Sequence, residues 1–275
     1  MSMTFPARIE VEALLDDHPR YKGSIHEDSV AQRMGYRSAL LPGAFVYTYA
    51  ARLAVSAWGM DWVERGAIST RFRRPVFNGD LLTIAAQSAE PDGSHRLTVT
   101  NQLGEEVVTG TLGAPAHETP QADLIFQPHR DTREAIDAAR MRPGTRFNTS
   151  ERVLTADDLA ASRRAMAETH PVFLQNDVAH PGCLVRLTMD DVLRSFILPM
   201  PPIFTAVETR HYCAVRPGDR VSTSAVATEV FESGGKHYFV SDEYLVLDGD
   251  RLAARHRRTN LFQIDPAPTE ARATN

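Results

Sequence analysis

Cysteine is nearly absent from this sequence: only Cys183 and Cys213 occur among 275 residues. Two thiols cannot make a disulfide framework, and their scarcity suits a reducing compartment. Excess basic charge is missing as well. The formal net charge is −5, without the positive field on which nucleic-acid binding relies. Long hydrophobic runs are lacking too. The most apolar stretch, Ala44 to Trp58, is broken by Arg52 and is too short to span a bilayer. The opening segment "MSMTFPARIEVEALLDD" carries acids and no apolar core of signal-peptide length. These absences lead to the expectation of a soluble cytoplasmic protein with no nucleic-acid or membrane partner. There is also no Gly-rich phosphate loop after a strand and no Gly-x-Ser-x-Gly elbow. The ten histidines and two cysteines show no metal-ligand spacing, so neither metal nor cofactor is expected.

What is present is the composition of an ordinary globular protein, 43% hydrophobic and 24% charged, at a length that suggests two domains. Local basic clusters at Arg71, Arg73 and Arg74, and at Arg255-His256-Arg257-Arg258, read as solvated strand faces. The alternative is a patch for a phosphorylated ligand. The informative feature is internal repetition. "LLPGAFVYTYAARLAV" starts a helix-like run at Pro42-Gly43, and "AHPGCLVRLTMDDVL" does so at Pro181-Gly182. Each is followed by a strand pattern ending in Gly-Asp, at Gly79-Asp80 and Gly218-Asp219. Gly43 precedes Gly79 by the same distance as Gly182 precedes Gly218, which points to two copies of one unit.

In the first copy the helix candidate is apolar on nearly every side, as for a helix buried all round. "GAISTRFRRPV", "DLLTIAAQSA", "HRLTVTNQL" and "EEVVTGTLG" then read as strands, with turn signals at Asp92-Gly93 and Gly104. In the second copy "IFTAVETRHYCAV", "RVSTSAVATEVF", "KHYFVSDEYLVL" and "RLAARHRRTNLFQI" repeat the pattern, with turns at Gly234-Gly235 and Asp248-Gly249. Short turns between long strands imply antiparallel pairing. Arg186, Asp190, Asp191 and Arg194 mark an exposed side on the second helix. The expected fold class is α+β: two long antiparallel sheets, each wrapped around a central helix and packed as a pseudo-dimer. The expected division is a unit over 1–115, a crossing linker over 116–144 with a surface helix in "DTREAIDAARM", a unit over 145–265, and a disordered tail over 266–275.

His26, Asp28, Ala31, Gly35-Tyr36, Pro42-Gly43 and Gly79-Asp80, in this order, resemble the landmarks of the MaoC-like hydratases and dehydratases of the hot-dog fold. Two tandem copies resemble the double hot-dog members, over roughly residues 5–113 and 145–264. The resemblance implies hydration or dehydration at the β-carbon of an acyl thioester, with coenzyme A or an acyl carrier protein entering as part of the substrate. It implies no separate cofactor, and a homo-oligomer, a dimer, is expected. The family motif places an aspartate five residues before a histidine and a His-Gly at the start of the central helix. Here the histidine is His26, the aspartate position is Tyr21, and His-Gly becomes Pro42-Gly43. In the second copy Glu168 holds the acid position and Phe173 the histidine position. Neither copy has the complete dyad.

Hydration needs a base for water, an acid for the α-carbon and donors for an enolate-like oxygen. His26 titrates in the useful range and is the first candidate; a local loop contact is the plain alternative. Asp177 and His180, in "NDVAHPG", can form an acid-oriented histidine or a simple turn. Glu168 is a possible surviving acid, and Tyr21 could orient water or donate to an oxyanion. Gly43 and Gly182 would open a helix N-terminus to a carbonyl oxygen, or merely permit tight packing. Asp28 reads as the N-cap of "DSVAQRMG". His170 and Cys183 read as structural. Two readings of another class stay open: a non-catalytic protein that binds acyl thioesters or stabilises a partner, and a thioesterase or isomerase on the same fold.

Overall fold

The computed structural model describes residues 4–119, 122–130 and 132–265. The tail expected over 266–275 lies outside the described residues. Strand β1 (Ala7–Glu12) leads through a 3-10 turn at Pro19–Tyr21 to α1 (Asp28–Arg33) and the long α2 (Gly43–Arg65). Then come β2 (Ala67–Phe72), β3 (Leu81–Ala89), β4 (Ser94–Thr100) and β5 (Glu106–Gly113). The linker contributes β6 (Glu134–Ala135). The second half holds β7 (Glu151–Val153), α3 (Ala156–Ala165), α4 (Pro171–Gln175), α5 (Pro181–Ser195) and β8 (Phe196–Ile197). It ends with β9 (Ile203–His211), β10 (Arg220–Ser233), β11 (Lys236–Leu247) and β12 (Arg251–Ile264).

The halves repeat one topology. Strand order runs β1-β3-β4-β5-β2 and then β9-β12-β11-β10-β7, a mirror sequence of equivalents within one antiparallel ten-stranded sheet. The two sheets are therefore joined edge to edge: β2 pairs with β9 from Ala67↔Arg210 to Arg71↔Ala206. Pairing the inner edges leaves no open strand at the junction. The Gly-Asp landmarks are equivalent turns. Gly79 N donates to Ala13 O at 2.7 Å and Gly218 N to Leu154 O at 2.7 Å. Asp80 Oδ2 accepts from Phe77 N at 2.9 Å, and Asp219 Oδ2 accepts from Arg216 N at 2.7 Å. Both glycines have positive φ, 86° and 92°, which explains the residue type.

Helix α2 is buried along most of its length, through Phe45, Tyr47, Tyr49, Leu53 and Trp62. It packs on β1, β2, β3 and β9, while α5 packs on β10, β11 and β12, and the two helices touch each other. No helix among the described residues is long and apolar enough to cross a membrane.

Four expectations change. The helix in "DTREAIDAARM" is absent from its described residues, where β6 pairs parallel with β8. Ile136 and Met141, five residues apart, both bury in the core beside Phe147; a helix would set them on separated faces. Asp28 is the first residue of α1, not its cap; its carboxylate accepts from Ala39 N at 2.7 Å and so closes the loop. Asp191 is buried, not exposed, and accepts from Ser150 N at 3.2 Å. Arg255 and Arg257 do lie on a half-exposed strand face, paired with Asp242, but alternation turns Arg258 inward onto Glu243, at 2.6 Å with both side chains fully buried.

Candidate functional site

The loop between β1 and α1 is pinned by local hydrogen bonds. His18 Nδ1 caps the 3-10 turn by accepting from Arg20 N at 3.1 Å. Ser24 Oγ donates to Tyr21 O at 2.6 Å and accepts from His26 N at 3.2 Å. These bonds set Tyr21 and His26 edge to face, with ring centroids 5.4 Å apart. Tyr21 also packs edge-on against Phe45 at 6.5 Å, so both rings stand beside the start of α2.

His26 Nδ1 lies 2.7 Å from Leu40 O. A carbonyl only accepts, so Nδ1 carries the proton and Nε2 keeps its lone pair. Burial lowers the His26 pKa below 6.5, against the Leu40 bond and with help from Arg186 and Arg20. The ring is therefore neutral at pH 7 and presents an acceptor. Burial raises the Tyr21 phenol to about 12, although Arg20 donates to its oxygen at 2.8 Å. Tyr21 stays a phenol, with its own proton free to donate.

The second copy is closed. Glu168 is buried and pairs with Arg52 of α2 at 3.3 Å, while its other oxygen accepts from His170 N at 2.8 Å. It ties the units together rather than facing a cavity. Phe173 is buried against His180, with centroids 6.0 Å apart. His180 is fully enclosed; burial pushes its pKa down to about 3. Its Nε2 lies 3.0 Å from Ser162 Oγ and its Nδ1 has no partner among the described residues. Asp177 does not join it: the residue is exposed, with φ at 49°, and makes no hydrogen bond to His180. His170 caps α4 by accepting from Val172 N at 3.3 Å, a structural role. Burial raises the Cys183 thiol, so the helix start does not activate it.

The two helix-start glycines differ. Gly182 sits where α5 crosses α2; a β-carbon there would run into Thr48 Oγ1 and approach Ala44 O to 3.0 Å. It serves helix packing. A β-carbon on Gly43 would meet the Phe204 ring at 2.6 Å, but Gly43 is only half-buried and stands three residues after Leu40, the partner of His26.

A cleft of about 440 Å³ runs between the first-unit loop and α3 and α5 of the second unit. Asp16, His18 and Arg20 line one wall; Arg152, Ser162, Arg164, Cys183 and Arg186 line the other. Of its four arginines, Arg20, Arg152, Arg164 and Arg186, Arg20 joins the cleft to the His26–Tyr21 pair by donating to the Tyr21 oxygen at 2.8 Å. Sequence reasoning missed these arginines. They come from four separate elements, and no spacing links them.

No protein-family model and no curated protein matches the sequence. Solved structures do. A protein from Chloroflexus aurantiacus J-10-fl described as a MaoC domain protein dehydratase aligns over 96% of this chain and 97% of its own, with a TM-score of 0.65 at 13% identity. A conserved hypothetical protein from Mycobacterium tuberculosis, described as having a double hotdog fold, aligns over 94% and 96%, with a TM-score of 0.56 at 16% identity. A MaoC-like dehydratase aligns over 93% and 98%, with a TM-score of 0.54 at 14% identity. At such identities the likeness establishes the fold.

Proposed function

On the double hot-dog fold that this chain shares with MaoC-like dehydratases, we propose a hydro-lyase that adds water to, or removes it from, the β-carbon of an acyl thioester. The observation that carries the reading is the His26–Leu40 bond, which leaves Nε2 a neutral acceptor in the loop that borders the inter-unit cleft. Tyr21, kept as a phenol, donates to the attacking water and fixes one of its lone pairs. His26 Nε2 takes a proton as the water oxygen bonds to the β-carbon. The electron pair of the double bond moves onto the thioester oxygen, where the free N–H groups at the Gly43 end of α2 stabilise it. The imidazolium then returns its proton to the α-carbon, which restores the enzyme. Coenzyme A or a carrier protein enters with the substrate, and no separate cofactor takes part. One open site per chain serves the reaction, since the Glu168–His180 side is closed.

The test is hydration of short enoyl thioesters by the wild type and by His26→Ala. We expect a loss of at least about 100-fold with the fold retained. Equal activity in the variant would remove His26 from the chemistry.

A second reading, thioester hydrolysis, is favoured by the Ser162–His180 contact on the cleft wall. Ser162 Oγ would attack the carbonyl carbon as His180 Nε2 takes its proton, collapse of the tetrahedral intermediate would expel the thiol with that proton, and water deprotonated by the same ring would then release the acid from Ser162. The strongly lowered His180 pKa makes this a weak base. Products separate the readings: free thiol from a saturated acyl thioester, abolished by Ser162→Ala, supports hydrolysis.

A further inference from the structure

The cleft holds more cation than its own acids use. Arg152, Arg164 and Arg186 all line it, and none makes a hydrogen bond or ion pair through its guanidinium among the described residues. Of the acids there, Asp16 is held by Arg20 at 3.2 Å, and Asp158 caps α3 through Thr155. Asp158 still carries a charge on which Arg152 acts, so Asp190 is left to face Arg164 and Arg186. Arg186 is half-buried, and a cation withdrawn from water without a counter-ion is costly. A site of this kind suits an anion, and planar guanidinium groups suit a carboxylate or phosphate.

Position decides between those two. Arg186 lines the same cleft as Arg20, whose guanidinium donates to the Tyr21 oxygen at 2.8 Å, and Tyr21 stands edge-on to His26 with centroids 5.4 Å apart, so the cleft reaches the reacting pair. In a coenzyme A or carrier thioester the pantetheine arm puts roughly a dozen bonds between the sulfur and the nearest phosphate, an extended reach well beyond a contact distance. An anion beside His26 is therefore carried by the acyl group. We propose that the substrate is the thioester of an unsaturated dicarboxylic acid, and that Arg186 binds its free carboxylate. This rests on the hydro-lyase reading and names its substrate class. The carboxylate would also offset the cationic field of Arg186 on His26, leaving the imidazole a stronger base once substrate is bound.

The test compares three coenzyme A thioesters of equal acyl length: a neutral enoyl ester, its ω-carboxylate counterpart, and the ω-amide. Wild type should favour the carboxylate over the amide in kcat/KM by about tenfold or more, and Arg186→Gln should remove most of that ratio. Arg186→Lys should restore part of it, which a merely misfolded variant cannot do. A wild-type preference for the neutral esters, or an Arg186→Gln ratio equal to that of wild type, overturns the proposal. Repeating the comparison on pantetheine thioesters, which lack the phosphates, should leave the ratios unchanged; loss of the Arg186 effect there assigns the arginine to phosphate and overturns it too. If no enoyl ester is hydrated, the hydro-lyase reading has failed. The anion site is then read by calorimetric binding of free succinate, expected for wild type and weakened in Arg186→Gln; equal binding or none overturns the proposal.

Discussion

His26 Nδ1 and the carbonyl oxygen of Leu40 are 2.7 Å apart, and this one bond decides which ring nitrogen can act as a base. Its consequence is visible in the pH dependence. In the proposed mechanism the active form is the neutral ring, whose pKa lies below 6.5 with burial as the main cause. Activity should be level near pH 7 and fall as pH drops through that lowered value, tenfold per unit at the acid end. The measurement is kcat/KM for an enoyl thioester from pH 5 to 8. An acid limb centred above 6.5 contradicts the assignment.

Tyr21 occupies the place where the family motif has an aspartate, and in the proposed mechanism its hydroxyl donates where a carboxylate would accept. Tyr21→Phe keeps the edge-on packing against His26 and Phe45 and deletes only the hydroxyl. A fall in kcat of about 10- to 100-fold is expected, with little change in melting temperature. Tyr21→Asp is the sharper comparison. If it exceeds the wild type in rate, the phenol is a substitute rather than the working group.

The repeat, the two central helices and the strands β2–β5 and β9–β12 were legible because hydrophobic period and Gly-Asp turns are local signals; β1, as long as β2, was not read from the sequence. His26 was marked out by its place in the landmark order of the family resemblance, and it stands in the loop ahead of α2, bonded to Leu40 O. The closure of the second site was not legible. Glu168 and His180 become buried only because Arg52 from the other unit pairs with the first and Ser162 approaches the second. The arginine cleft is likewise a product of assembly, since Arg20 and Arg186 meet across the units. Strand alternation could have placed Arg258 inward, but no local rule names Glu243 as its partner.

The Arg52–Glu168 pair is a cross-unit tie whose carboxylate side chain is 1% exposed. Removing the arginine leaves a buried, half-satisfied charge. Arg52→Met should therefore lower stability by about 3 kcal/mol in urea unfolding. Adding Glu168→Gln removes the stranded charge, and the double variant should regain part of the loss. A double variant less stable than Arg52→Met alone is the contrary outcome.

Gly182 marks the closest approach of α5 to α2. Gly182→Ala should cost about 2 kcal/mol or more, because the new methyl meets Thr48 Oγ1, Met166 Sδ and the Ala44 backbone. Thr48→Ala in the same chain clears only the first of these, so the rescue should be partial. Chemical denaturation of the three variants measures it, and a neutral Gly182→Ala contradicts the packing role.

Three histidines share a different vulnerability. His180, His211 and His256 are fully buried, and each has one ring nitrogen without a partner among the described residues. Burial lowers their pKa values, to about 3 for His180, about 4 for His211 and well below 6.5 for His256. Unfolding exposes them to an ordinary pKa near 6.5, so below that pH the unfolded chain takes up protons that the folded chain refuses. Their contribution to stability is complete above pH 6.5 and shrinks as pH falls towards 4. By pH 5 the loss is about 2 kcal/mol from His180 and from His211, and His256 adds to it in the same direction. Urea unfolding at pH 7, 6 and 5 should show stability dropping with at least about two protons taken up, from His180 and His211. His211→Gln should reduce that slope by about one proton, since its amide cannot titrate. Stability that stays level from pH 7 to 5 would mean that the rings find solvent or partners on protonation, which their enclosure does not provide.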